Sequence, residues 1–336
     1  MAAWHALWRL LAAAAVPLGV GVGVVVLLVW LTGTGATLHT LARLSVGEGA
    51  ALVGAAFASS IFSALALRLI LSRYGHAIST WLLFRLSILA FAVGWLVPSG
   101  YVAGFPVAAW LLRRRGVPFG RALAAFLIER FFEMAVYALV LPTVLMSAVP
   151  AGAALFAGVF APLAALVLVG LDLGLGWRVG RRTLGFLSDR LPARITPALA
   201  RGIGFLTTIS AFFRTPVSGV LAAAAMSVLA IGASFGRAVL TVRFLNLPLG
   251  VPEVALLVAV SLLVVAIPFL PGAIGVYEGG MVGSFELLGR PASEGIAYAL
   301  TVHGVELVVA VVGVVFLVEL GVDMRTVREA SAAAGR

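Results

Sequence analysis

The chain has 336 residues, of which 62% are hydrophobic and only 11% charged, with a net charge of +10. Its mean hydropathy is +1.16, whereas soluble domains carry roughly 25% charged residues and about half apolar ones. A water-soluble fold and a disordered chain are both excluded. Cysteine is absent, which excludes a disulfide framework, a thiolate metal site and a cysteine nucleophile.

A membrane span needs about 20 mostly apolar residues. The run from Leu10 to Leu31 is longer than a signal-peptide core and contains Trp30 near its end, so it is read as a retained first span. Seven further stretches qualify: 48–72, 80–97, 119–147, 151–177, 216–243, 252–268 and 292–320. With 11–32 they make eight full spans. Two apolar stretches are interrupted. Residues 98–115 contain Pro98, Gly100, Gly104 and Pro106; residues 269–289 contain Pro271, Gly272, Gly275, Gly279, Gly280 and Gly283. Such backbone cannot face lipid with unpaired N–H and C=O groups, so it is buried in protein or lines a wet cavity.

Every basic residue other than histidine is arginine. Arginines in a membrane protein collect in cytoplasmic loops. Segment 178–215 carries Arg178, Arg181, Arg182, Arg190, Arg194, Arg201 and Arg214 against one acid, Asp189. It reads equally well as an amphipathic helix on the cytoplasmic face or as a plain basic loop. With Arg113, Arg114, Arg115 and the tail 321–336, it places both termini inside; Arg43 is the exception. No basic surface with interleaved aromatics lies outside the apolar spans, which argues against nucleic acid.

A shift of 173 residues aligns the two interrupted regions without a gap. Pro98 falls on Pro271, Gly116 on Gly289, Pro118 on Pro291, Ala124 on Ala297, Leu127 on Leu300 and Glu133 on Glu306. Arg130 falls on His303, so a basic residue three before a glutamate occurs twice. The expected fold is therefore an all-α integral membrane protein with eight full spans, two broken or re-entrant segments and an inverted 5+5 repeat. The first repeat covers 1–150, the second 151–320. Inverted repeats with broken helices at mid-membrane are a hallmark of transporters.

Ionisable residues inside a membrane are costly and are usually paired and functional. Glu129, Arg130 and Glu133 lie in span 119–147; His303 and Glu306 in span 292–320; Arg85 and Arg237 inside spans 80–97 and 216–243. Glu278 follows the turn Pro271-Gly272-Ala273-Ile274-Gly275-Val276-Tyr277. A helix restarting there presents unpaired N–H groups and its positive dipole end, suited to an anion. Arginine binds phosphate through a planar fork, so Arg130, with Arg85 or Arg237, is expected to hold an anionic headgroup. Glu133, Glu278 and Glu306 would balance these arginines or carry protons. The bland alternative is a set of salt bridges that only fixes helix packing.

The pattern Pro271-Gly272, Ile274-Gly275-Val276 and Glu278, with Pro98 before a glycine-rich stretch and Glu129-Arg130, resembles the lysylphosphatidylglycerol synthase transmembrane-region family. The resemblance spans roughly residues 10–320. It implies a lipid translocase fold with broken helices meeting in a central cavity, and a lipid-synthesis enzyme encoded separately as a partner. Tyr277 stands where many relatives have arginine, and Phe105 where an acid is common.

Gly232-Ala233-Ser234-Phe235-Gly236 matches G-x-S-x-G, but a nucleophile elbow needs a strand-turn-helix context. Within an apolar span, small residues instead allow close helix packing. A metalloenzyme would need more histidines than His303 alone inside the spans. Lysine is absent, so there is no phosphate-binding G-x-x-x-x-G-K-[ST] loop. The expected function is a flippase or scramblase of the bacterial inner membrane, acting on a phospholipid, polyprenyl-phosphate-linked or hopanoid-type lipid. It is not expected to be an enzyme or to need a cofactor or metal. The candidate path is Arg85, Glu129, Arg130, Glu133, Arg237, Pro271, Gly272, Gly275, Tyr277, Glu278, His303 and Glu306. An intramembrane enzyme acting on an isoprenoid lipid and a small-solute or ion transporter are the alternatives.

Overall fold

A computed structural model describes residues 19–97, 103–148, 196–265 and 271–321, with the isolated residues 165, 168, 172 and 182. The expected span 151–177, most of 178–195, the prolines Pro98 and Pro268, and the tail lie outside the described residues. The described elements are helical: α1 (Gly19–Thr32), α2 (Thr34–Leu41), α3 (Val46–Arg73), α4 (Thr80–Leu96), α5 (Gly104–Arg113), α6 (Phe119–Ala148), α7 (Thr196–Phe213), α8 (Val217–Phe244), α9 (Val251–Val265), a 3-10 turn (Pro271–Ala273), α10 (Val276–Leu287) and α11 (Ala292–Glu319).

Among the described residues, α3, α8 and α11 are each long and apolar enough to cross a membrane alone. Helix α6 is longer still, at 30 residues, but carries Glu129, Arg130 and Glu133 in its middle. Leu307, Val308, Val311, Val315 and Val318 form an exposed stripe along α11, the face such a helix offers to lipid. The first expected span does not continue as a plain helix into a loop. It bends by 99° between α1 and α2, where Gly33 sits at φ 98°. That positive φ costs glycine little and other residues much.

Local sequence sets the helix ends. Ser45 and Glu48 form a reciprocal capping box at the start of α3, satisfying two N–H groups that a helix start leaves orphaned. The Ser79 side chain caps α4. Glycines then set how closely helices approach. A methyl group on Gly104 of α5 would overlap the Ala90 carbonyl of α4. One on Gly313 of α11 would come within 2.6 Å of the Ile88 carbonyl oxygen, also on α4. Forcing bulk into such a contact costs about 1–3 kcal/mol. Gly313→Val is therefore expected to lower the unfolding temperature of the detergent-solubilised protein; an unchanged temperature would show that α4 and α11 are less tightly packed.

The most extensive helix pairing joins α3 and α8, and it is antiparallel. Gly219, at the start of α8, lies against the Arg73 guanidinium at the end of α3. Arg43, just before α3, donates to the Leu245 carbonyl just after α8 at 3.2 Å. Midway, Ser59 and Ser234 are hydrogen-bonded at 2.9 Å. The serine of the G-x-S-x-G stretch thus serves helix contact, whereas a methyl group on Gly232 or Gly236 would meet nothing within 4 Å.

Helices α4 and α5 form one broken hairpin, and α9 and α10 another. Leu82, Leu86, Leu111, Arg114 and Arg115 line a common crevice with Leu320, so the first hairpin starts and ends beside the end of α11. Leu288, past α10, packs on Ala255, Leu256 and Ala259 of α9, so the second also returns to where it started. The two hairpins enter from opposite ends of the bundle and their tips meet, with Gly272 against the Trp95 indole.

Helices α3, α4, α5 and α6 correspond in order to α8, α9, α10 and α11. Their first residues lie 171, 171, 172 and 173 residues apart. Exchanging the two sets leaves the contact pattern intact: α4 packs on α11 as α9 packs on α6, and α5 packs on α6 as α10 packs on α11.

Part of segment 178–215 is α7, and it packs rather than lies free. Phe212 is fully buried, and Phe213 meets Phe131 and Phe132 of α6 with ring centroids 5.8 and 5.9 Å apart. The Tyr74 hydroxyl donates to the Thr208 carbonyl at 2.8 Å. Burial holds the Tyr74 hydroxyl well above its ordinary pKa, so this bond keeps its proton through the physiological range.

Candidate functional site

Two cavities lie side by side between the hairpins and the long helices. The first, about 190 Å³, is lined by serines of α3 and α4, by Phe105, and by Glu129, Arg130 and Glu133. The second, about 220 Å³, is lined by Tyr137, Ser261, Gly272, Tyr277, Tyr298 and His303. Arg130, Ser234, Arg237 and Glu306 border both, so the polar centre of the protein is the wall the two cavities share.

Each charge at this wall has a partner. The Arg130 guanidinium bonds to the Glu133 carboxylate, three residues on and hence on the same helix face. It also sits over the Phe105 ring, 5.6 Å from the centroid. Arg237 approaches Glu306 at 3.9 Å, a charge contact longer than a hydrogen bond. The Trp95 indole N–H donates to the other Glu306 oxygen at 3.2 Å. Although α6 is packed on several sides, the Arg130 side chain is 45% exposed because it borders both cavities.

The second turn is built by glycine and one carboxylate. Gly272 and Gly275 take φ values of 60° and 89°, a region that favours glycine. Helix α10 then restarts, and the Gly275 N–H donates to Glu278 Oε2 at 2.7 Å. Sequence alone suggests that this helix start is free for an anion; the protein's own carboxylate occupies it. Glu278 Oε1 lies 2.6 Å from His303 Nδ1. The His303 ring in turn stacks near Tyr277, centroids 4.7 Å apart, and meets Trp95 edge-on. Pro271 is buried behind this turn.

Two residue pairs related by the 173-residue shift each make a contact. Phe105 aligns with Glu278, and Arg130 with His303. The first pair meets as a cation over a ring, the second as a histidine on a carboxylate. Phe105 meets Arg130 through its ring face rather than through a charge.

The structure thus brings Glu129, Arg130, Glu133, Arg237 and Glu306 to the first cavity, and Gly272, Tyr277 and His303 to the second. Pro271, Gly275 and Glu278 form the turn behind. Arg85 stands apart. It pairs with Glu319 and lies over Phe316 at 5.1 Å, lining neither cavity. Sequence reasoning overlooked Trp95 and the hydroxyl wall of Ser59, Ser60, Ser63 and Ser87. Ser59 and Ser63 are four apart in an apolar helix, and that spacing is a usable signal for one polar face.

The sequence model of the family described as "Lysylphosphatidylglycerol synthase TM region" matches residues 14–313. The chain belongs to this family. The matched range takes in both cavities and both hairpins, and the family's transmembrane character agrees with the apolar helices described above. No curated protein and no solved structure matches the chain.

Proposed function

We propose that the protein is a lipid translocase of flippase or scramblase type, built as an inverted repeat. The observation that carries this reading is the shared wall of Arg130, Ser234, Arg237 and Glu306 between two polar cavities. A phospholipid headgroup crossing the bilayer needs a polar route while its acyl chains stay in hydrocarbon. Two guanidinium groups at the midpoint suit a phosphate. Their carboxylate partners keep them stable without substrate, since an unpaired charge there is costly. The antiparallel α3–α8 pair and the exchangeable contact pattern support two halves that rock against each other.

Orientation follows from charge. Arg68, Arg73, Arg113, Arg114, Arg115, Arg121 and Arg214 lie near the meeting loops at one end, where Arg121 donates to the Tyr74 carbonyl. At the other end, Arg290 pairs with Glu294, and Glu253 accepts from the Gly250 N–H. The arginine-rich end faces the cytoplasm by the positive-inside rule, and the end of α11 lies there too. The membrane is the bacterial inner membrane, the cargo a membrane lipid, and no covalent chemistry is assigned to the protein.

The test is translocation in vesicles holding the purified protein and a trace of acyl-chain-labelled phosphatidylglycerol. Protein-dependent bleaching of inner-leaflet label by an impermeant reductant is expected; bleaching no greater than in empty vesicles would refute the reading. Arg85→Ala, outside both cavities, is expected to keep the wild-type rate within about twofold, since exposed ion pairs are worth only 0–1 kcal/mol or so. A large loss would extend the path to α4.

A further inference from the structure

Several arginines are held by other groups of the protein. Arg85 pairs with Glu319, Arg130 with Glu133 and Arg290 with Glu294, while Arg43 and Arg121 donate to the Leu245 and Tyr74 carbonyls. Two neighbours just past α5 differ. Arg114 and Arg115 are exposed, and neither guanidinium has a hydrogen-bond or ion-pair partner among the described residues. Both line a narrow crevice of about 40 Å³ with Leu82 and Leu86 of α4, Leu111 of α5 and Leu320 just past α11. Leu86 and Leu111 are buried, so the crevice has an apolar floor under a cationic rim. It joins the open end of the first hairpin to the end of α11, and it shares no lining residue with the two central cavities.

The rim is arranged for an anion. The Arg114 guanidinium lies over the Trp110 ring, 4.0 Å from its centroid. Such a contact uses the face of the guanidinium and leaves its N–H donors free for an acceptor. Glu319, next to Leu320, is taken by Arg85, so it does not neutralise the rim. Three consecutive arginines, Arg113 to Arg115, set the local field; it draws in a phosphate and repels a quaternary ammonium. A free phosphate would satisfy the arginines and leave the leucines facing water. A lipid phosphate answers both, because its ester groups and first methylenes cover the floor. Trp81, 62% exposed at the start of α4, marks this level as the membrane interface, where basic pockets between helices suit anionic headgroups.

We propose that this crevice is a binding site for an anionic phospholipid, separate from the central cavities. Its phosphate sits between Arg114 and Arg115, and one acyl chain starts over the leucine floor. The site does not depend on the translocase reading. A lipid bound there touches α4, the end of α5 and the end of α11 at once, and so clamps the open end of the first hairpin to α11.

The experiment titrates dioleoyl phosphatidylglycerol, dioleoyl phosphatidylcholine or inorganic phosphate onto the full chain in neutral detergent. The unfolding temperature is followed, since it rises as a site on the folded state fills. Half-saturation by phosphatidylglycerol is expected at a concentration about tenfold or more below that of phosphatidylcholine, and inorganic phosphate is expected to give no comparable rise. Arg114→Gln and Arg115→Gln are each expected to raise the phosphatidylglycerol half-saturation about tenfold, the scale of one lost hydrogen bond to a charged group. Arg113→Gln, off the crevice, is expected to raise it no more than about twofold, its charge being screened by water and salt. Each variant's lipid-free unfolding temperature is its own baseline, so lost stability does not mask lost binding. Equal effects of the three variants would mean diffuse attraction without a site. Stabilisation unmoved by Arg114→Gln and Arg115→Gln would place the lipid elsewhere, and phosphate acting as well as the lipid would make this a free-phosphate site. Each of these results, or equal half-saturation by the two lipids, overturns the proposal and leaves the translocase reading standing.

Discussion

Arg130→Ala is expected to slow phospholipid translocation roughly 10- to 100-fold, the scale of one lost hydrogen bond to a charged group. Arg130 borders both cavities, so a phosphate moving between them passes its guanidinium. The variant also strands Glu133, which is 8% exposed, and some loss of stability accompanies the loss of rate. Arg130→Lys separates the two effects. It keeps the charge for Glu133 but lacks the planar fork, so it should retain fold and only part of the rate. Rates equal to wild type in Arg130→Ala would remove this residue from the path.

Glu278→Ala is expected to act on the fold itself. The side chain is 1% exposed and ties the Gly275 N–H and the His303 ring at once. Leaving a buried group without its hydrogen-bond partner costs about 1–3 kcal/mol, and Glu278→Ala does this to both the Gly275 N–H and the His303 ring, a large share of a protein's total stability. The turn would lose its contact with α11, and the Gly272 approach to Trp95 would loosen with it. Thermal unfolding in detergent should show a large drop for Glu278→Ala. Glu278→Gln, which keeps an acceptor for Gly275, should show a smaller one. A melting temperature unchanged in Glu278→Ala would contradict the view of this residue as the keystone of the second hairpin.

The sequence carried this arrangement unevenly. The long helices α3, α6, α8 and α11 were legible within two or three residues, because a run of apolar side chains that long has few other fates. The place of Arg130, Glu133, His303 and Glu306 at the cavities was legible because charge inside such runs is rare. The bend at Gly33 was not, since a lone glycine beside Thr32 and Thr34 also reads as an ordinary loop. The pairing of Arg85 with Glu319 was hidden as well, because the partners are 234 residues apart and α4 must first pack on α11. The role of Glu278 was half legible. The glycines announced a helix start with unpaired N–H groups, but not that the carboxylate three residues on would turn back to fill it, as in a capping box. The serines facing the first cavity were passed over because hydroxyls in an apolar helix usually bond to their own backbone, as Ser60 does.

The central claim is that the wall shared by the two cavities is reached from both sides of the membrane in turn. Ser234 borders both cavities, and the chain contains no cysteine, so Ser234→Cys supplies a single reporter at that wall. Labelling it in oriented vesicles with a membrane-impermeant maleimide, applied to one face and then the other, should give reaction from each face. Reaction from one face only, or from neither, would contradict alternating access through this site.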